Sequence, residues 1–155
     1  MMRKIVAIAF IIIAFTSCKR AVIFEAKRTI HESTWHQDSA LVFKVDITDT
    51  ITPNNVVYEV TNNDDYPFAN MYLFTTVLFP NGKEIKDTLE IGLATPSGKW
   101  IGKGWFGTHK TAFPFRMNIR FPYIGTYTFK ITQAMRCPSK TLNGVTDFEM
   151  AIKRR

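Results

Sequence analysis

From Leu41 onward the chain consists of short runs in which apolar and polar residues alternate, the period of strands buried on one face. Leu41, Phe43, Val45 and Ile47 share one phase, and Val42, Lys44, Asp46 and Thr48 the other. Val56, Tyr58 and Val60 repeat the pattern after Thr52-Pro53-Asn54-Asn55, a turn-forming cluster. These two runs are expected to pair antiparallel. From Asn70 to Phe79 both phases are apolar or aromatic, with Met71, Leu73 and Val77 against Tyr72, Phe74 and Leu78, which predicts a central strand. Pro80-Asn81-Gly82-Lys83 predicts a hairpin, because both central positions of an Asn-Gly turn tolerate positive φ. The returning run sets Ile85, Asp87, Leu89 and Ile91 against Glu84, Lys86, Thr88 and Glu90, the pattern of an edge strand.

Thr95-Pro96-Ser97-Gly98 and the glycines at 92, 102, 104 and 107 predict a long loop over residues 92–109 with one short strand at Trp100. Phe113, Phe115, Met117, Ile119 and Phe121 then form the longest alternation, facing away from Arg116, Asn118 and Arg120. Pro114 lies in its outward phase near the start, where a missing backbone donor is tolerated on an edge strand or at a first residue. Gly125 opens a run carrying Tyr127, Phe129 and Ile131, and a final run points Phe148, Met150 and Ile152 inward. Seven or eight strands without an amphipathic helix longer than two turns define an all-β antiparallel sandwich, immunoglobulin-like or jelly-roll-like, over residues 41–155.

The first residues follow a different rule. Met1-Met2-Arg3-Lys4 is basic, and Ile5 to Phe15 is an unbroken apolar run, followed by Thr16-Ser17. This is the three-part build of a secretory signal, and the run is well short of the roughly twenty residues that span a bilayer. Phe15-Thr16-Ser17-Cys18 resembles a lipobox, so residues 1–17 are expected to be removed and Cys18 to carry the acyl chains of a lipoprotein. Each buried methylene contributes about 0.8 kcal/mol, and two or more chains hold a protein firmly on its membrane. Residues 18–40 are read as the lipidated N-terminus and a linker that joins the domain near Trp35. Within them, apolar Ala21-Val22-Ile23-Phe24 is either a short edge strand or part of the tether.

Lipidation also decides cysteine usage. A Cys18–Cys137 disulfide would be the default for an exported chain with two cysteines, but a thioether at Cys18 excludes it. Cys137 is then expected to be a small, buried apolar residue. The signal removes Arg3 and Lys4 and no acid, so the mature chain has 18 bases against 13 acids, a formal charge of +5. An exported protein does not meet nucleic acid; a membrane surface or an anionic envelope polymer is the better partner for such a charge. Lys153-Arg154-Arg155 is read as a solvated tail.

The chemistry-bearing residues are sparse. His31 and His36 lie in the linker without a helix to bring them together, and His109 and Cys137 have nothing in the sequence to link them as a nucleophile and base. Asn62-Asn63-Asp64-Asp65 lacks the alternating ligands and terminal glutamate of a calcium loop and is read as a polar connection. The chain is therefore expected to have no catalytic residue, metal or cofactor. Lys99-Trp100-Ile101-Gly102-Lys103-Gly104-Trp105-Phe106-Gly107 is the exception of interest. Its tryptophans either plug one end of the sandwich, the commoner fate of tryptophan, or stand exposed for a sugar face or a protein partner. Trp100 and Trp105 are thus the candidate contact residues.

Tyr127-Thr128-Phe129-Lys130-Ile131-Thr132-Gln133-Ala134-Met135-Arg136, followed by Leu142-Asn143-Gly144-Val145-Thr146-Asp147-Phe148-Glu149-Met150, resembles the gliding motility-associated lipoprotein GldH family of the Bacteroidetes. The likeness extends over the chain through the lipobox and Phe79-Pro80-Asn81-Gly82. It implies a non-catalytic outer-membrane lipoprotein that works with partner lipoproteins and membrane proteins in gliding and in the linked type IX secretion pathway. It transfers one residue, the anchor Cys18. Lys19-Arg20 is not followed by an acidic run, so the domain is expected to face the periplasm. The competing expectation is a stand-alone envelope module that binds glycan or a secreted polypeptide.

Overall fold

A computed structural model describes residues 21–155. Its strands are β1 (Val22–Thr29), β2 (Thr34–His36), β3 (Leu41–Ile47), β4 (Asn54–Asn63), β5 (Asn70–Leu78), β6 (Glu84–Gly92), β7 (Thr108–Ile119), β8 (Gly125–Gln133), β9 (Thr141–Asn143) and β10 (Val145–Arg154). One four-stranded sheet has the order β1-β10-β4-β7 and the other β3-β8-β5-β6; β2 and β9 form a separate ribbon. All pairs are antiparallel. Without the ribbon, the eight remaining strands have the sheet order of a jelly roll, one of the two sandwiches expected.

The inward phases meet between the sheets. Phe148 of β10 lies fully buried at the centre, with ring centroids 5.2 Å from Tyr58, 6.1 Å from Phe43 and 6.0 Å from Trp35. Tyr58 stacks on Phe115 at 4.8 Å, while Tyr127 packs against Phe121 and Phe79 at 5.0 and 5.2 Å. The aromatic alternations of the sequence are thus the core itself, supplying the burial a small domain needs.

The fold begins earlier than residue 41. β1 pairs with β10 from Val22 to Thr29 and β2 with β9 in the ribbon, so residues 22–29 belong to the sandwich, 34–36 to the ribbon, and neither stretch is a linker. Only Phe24 and Ala26 of β1 reach the core, between Glu25, Lys27 and Arg28. An edge strand carrying that many charges has little apolar alternation to read. The C-terminus departs likewise from a solvated tail. Lys153 and Arg154 finish β10, and the Arg155 amide donates to the Pro53 carbonyl at 3.0 Å.

The runs at 41–47 and 54–63 do not pair. β3 binds β8, β4 lies in the other sheet between β10 and β7, and residues 48–53 arch across from one layer to the other. β5 is internal as expected, but the outward phase of an internal strand in a two-layer sandwich faces solvent, and Tyr72 and Phe74 are exposed. In β7, two register shifts opposite residues 54–57 break the alternation, and Met117 turns outward beside Asn118 at φ 56°. Pro114 does lie on an edge strand. The β5–β6 hairpin closes with Gly82 donating to the Phe79 carbonyl at 2.9 Å, and only Gly82 has positive φ (82°). It is a turn followed by a glycine bulge rather than the doubly left-handed turn anticipated.

The two ends of the sandwich differ in content. Residues 48–53, 79–83 and 120–124 share one end with the first and last described residues. The opposite end holds the ribbon, the connections at 64–69 and 134–140, and the long loop between β6 and β7.

Candidate functional site

The long loop is more ordered than its glycines suggest. It folds back on itself through bridges at Ala94–Trp100 and Lys103–Lys110. At Gly104 a Cβ would lie 1.8 Å from the Thr108 carbonyl oxygen, so only glycine allows the two limbs this close. The tip is Trp105-Phe106-Gly107-Thr108, with the Thr108 amide donating to the Trp105 carbonyl at 3.2 Å and the Thr108 hydroxyl to the same oxygen at 2.7 Å. Phe106 and Gly107 have φ of 52° and 73°. Both central residues are left-handed, the geometry of a tight turn that normally recruits Asn-Gly.

A phenylalanine in that first central position costs about 1–2 kcal/mol of backbone strain relative to glycine. Its side chain recovers none of this by burial, because Phe106 is fully solvent-exposed and Trp105 beside it is 82% exposed. Two large aromatic rings therefore project from the end of the sandwich on a strained turn, a combination that concentrates at functional sites.

Trp100 has the other fate. It is partly buried against the core and stacks on His109, with centroids 5.1 Å apart and planes 24° from parallel. His109 Nε2 lies 2.8 Å from Asp64 Oδ1, and Trp100 also meets Tyr66 at 6.3 Å. Of the two candidate tryptophans, one is the plug and the other the exposed ring. Asp64, in the polar connection after β4, thereby clamps the base of the loop, and its carboxylate fills the space beside Gly107. His109 is a packing residue of this clamp.

Aromatic surface continues from the loop base onto the outer face of the β3-β8-β5-β6 sheet. Tyr66 meets Phe68 at 6.0 Å, and Phe68, Tyr72 and Phe74 line an open groove with Met135 and Arg136. The backbone at 133–136 is held from below. Gln133, fully buried, donates to the carbonyls of Trp35 and Lys140 at 3.4 and 3.2 Å and accepts from the Met135 amide at 2.9 Å. Met135 Sδ in turn accepts from the Tyr72 amide at 3.2 Å. The Gln-Ala-Met-Arg segment thus ties the ribbon to β5 and forms one wall of the groove. Phe106, Tyr72 and Phe74 were not singled out in the sequence; the doubly apolar phase of residues 70–79 was the signal for the last two.

The outer face of the other sheet is charged. Glu59 and Glu149 stand opposite each other on β4 and β10, and Lys110 pairs with both, at 3.7 Å from Glu149. Burial, more than the neighbouring charges, raises the Glu149 carboxyl above its ordinary value. Among the described residues no group of three or more His, Cys, Asp or Glu side chains is placed to hold a metal ion. Cys137 is partly buried and packs against the core. Cys18 lies outside the described residues.

A family model described as GldH lipoprotein matches residues 22–152. A gliding motility lipoprotein GldH homolog of Christiangramia forsetii is 34% identical over 150 residues, 94% of this chain and 91% of that protein. The gliding motility lipoprotein GldH of Flavobacterium johnsoniae is 28% identical over 144 residues, 90% of this chain and 89% of that protein. Among solved structures, a carbohydrate-binding module specific for non-crystalline cellulose is similar over 84% of this chain and 73% of the module. That likeness is slight, with 8% identity and a TM-score of 0.45.

Proposed function

This chain belongs to the GldH lipoprotein family, and from that premise we propose that it is a non-catalytic, lipid-anchored component of the gliding motility machinery and of the linked type IX secretion pathway. It sits on the outer membrane through acyl chains on Cys18, faces the periplasm, and engages protein partners of the assembly through the aromatic end of its sandwich. The observation that supports the contact role is the strained, exposed turn at Trp105 and Phe106. Exposed aromatic anchors of this type carry most of the binding energy in protein interfaces. Burying Phe106 and Trp105 in a partner would offset the strain that the isolated domain bears.

The alternative of a glycan-binding module needs Trp100 and Trp105 on one concave face. Trp100 is engaged by His109 and Tyr66, whereas Trp105 projects from the tip, so the geometry favours the protein partner.

The test is a pull-down of the full-length protein from gently solubilised envelopes, with Trp105→Ala/Phe106→Ala and Cys18→Ala variants beside it. The expected result is recovery of motility or secretion components with the native protein and their loss with the double variant at unchanged stability. Equal recovery with the double variant would remove the tip from the interface. Retention on envelope glycan without a protein partner would favour the module.

A further inference from the structure

The end of the sandwich opposite the Trp105 tip carries a second set of exposed apolar residues. Ile51 is 80% exposed and Ile124 67%, with Tyr123 beside it also exposed. Their positions are fixed by the fold. Asp49 accepts from the amides of Ile51 and Thr52 at 2.8 and 3.0 Å and from the Thr52 hydroxyl at 2.6 Å, which holds the 48–53 arch. The Tyr123 amide donates to the buried Tyr127 hydroxyl at 3.1 Å, and that hydroxyl donates back to the Tyr123 carbonyl at 3.0 Å.

Basic side chains surround these residues. Arg120 donates from Nε to the Ile51 carbonyl at 2.8 Å, Arg155 from Nη1 to Asn118 Oδ1 at 3.0 Å, and Arg154 lies 3.7 Å from Asp49. The acids at this end are Asp49, whose oxygens are taken by the arch and Arg154, and Asp46, which accepts from the Thr126 hydroxyl at 2.5 Å. Apolar residues ringed by arginines match the layering of a lipid surface, with hydrocarbon inside anionic phosphate.

The chain path selects that occupant. The Arg154 amide donates to the Ala21 carbonyl at 3.0 Å, so the fold is fixed from Ala21 onward at this same end. Cys18 stands three residues before Ala21. At about 3.6 Å per residue, Cys18 lies no more than about 11 Å along the chain from Ala21. We propose that this end of the sandwich docks directly on the bilayer, with Ile51, Tyr123 and Ile124 entering the headgroup layer and Arg120, Arg154 and Arg155 meeting lipid phosphates. The inference rests on the lipid-anchor reading of Cys18 and adds to it a fixed orientation.

The experiment uses the full-length protein purified from envelopes and reconstituted in vesicles of phosphatidylethanolamine and phosphatidylglycerol. Nitroxide labels are placed singly at Tyr123→Cys and Ser97→Cys in a Cys137→Ser background, and acylation of Cys18 is checked by mass spectrometry. The Tyr123 label is expected to favour oxygen over a water-soluble nickel chelate, at a depth within roughly 5–10 Å of the headgroup boundary, and the Ser97 label to show the reverse. Ile51→Asp with Ile124→Asp is expected to return the Tyr123 label to water while the acyl anchor holds. Equal nickel access at both labels in acylated protein would overturn the docked orientation and leave the anchor reading standing. Dipolar broadening at Tyr123 from a second copy would overturn it in favour of self-association. Absence of acyl chains on Cys18 would overturn the anchor reading and this inference together.

Discussion

Arg116 on β7 and Asp87 on β6 form an ion pair that joins the edge strands of the two sheets along one open side of the sandwich. The guanidinium also lies over the Phe115 ring at 4.5 Å, which directs it along the seam. The opposite side has an equivalent device: Arg28 on β1 donates to the Val42 carbonyl on β3 at 3.0 Å and sits over Phe43 at 4.9 Å. Each open side is therefore laced by an arginine that reaches across the layers and covers an aromatic ring.

Arg116→Ala removes both the ion pair and the cation–π contact. Because the pair is partly exposed, the expected loss is modest, about 1 kcal/mol. Urea denaturation checks it, and a double-mutant cycle with Asp87→Asn should show positive coupling that weakens in high salt.

β1 as a strand and residues 18–40 as a linker make opposite predictions for protease. Lys27 and Arg28 lie in the β1–β10 ladder, so trypsin should leave them uncut in the native protein under conditions that cleave an unpaired tether. The N-terminal sequence of the resistant fragment is the measurement. Cleavage after Lys27 or Arg28 at the rate of the unfolded chain would contradict the pairing.

Asp49 sets an acid dependence. Hydrogen bonds from Thr52 and Ile51, with Arg154 assisting, lower its carboxyl from the ordinary 3.8 to about 2. A depressed folded value gives stability that is present above the unfolded value and lost as pH falls toward the folded one. Between about pH 4 and pH 2 the native protein should therefore lose more thermal stability than Asp49→Asn, and the two Tm curves should converge in acid. Parallel curves through that interval would show that the carboxylate is not held by the arch.

Phe106→Gly separates stability from function. Glycine adopts the left-handed conformation without strain, at the cost of a more flexible unfolded chain. Tm should be unchanged or raised by a few degrees, while partner recovery in the pull-down falls. A large loss of stability instead would mean that the exposed ring supports the loop.

These positions also mark how far the sequence could be read. The inward phases of β3, β4, β8 and β10 were legible because Phe43, Tyr58, Phe129 and Phe148 fall in period-two apolar runs with polar residues in the other phase, and those rings became the core. Partnering was not legible from period alone. The arch at 48–53 exchanges layers where a hairpin was expected, and that choice is made by the Asp49 hydrogen bonds and by the two flanking sheets. Only the first residues of β1 were legible as an edge strand, and as one of two alternatives, because its remainder alternates little. At the candidate site, the glycine-rich stretch and its tryptophans were visible, but a tryptophan's fate depends on its neighbours in space. His109 and Tyr66 bury Trp100, and nothing covers Trp105 among the described residues.

The tip and the anchored end are separated by the full length of the strands. β10, Val145–Arg154, has 10 residues, and at about 3.3 Å per residue it spans roughly 33 Å. In the docked orientation proposed above, the sandwich would be a spacer of fixed height, holding Trp105 and Phe106 about 3 nm above the surface. A partner must rise to that plane to be met, and one confined to the bilayer would pass beneath it. Residues inserted between Cys18 and Ala21 would then free the domain to sweep a range of heights, trading a single working plane for reach.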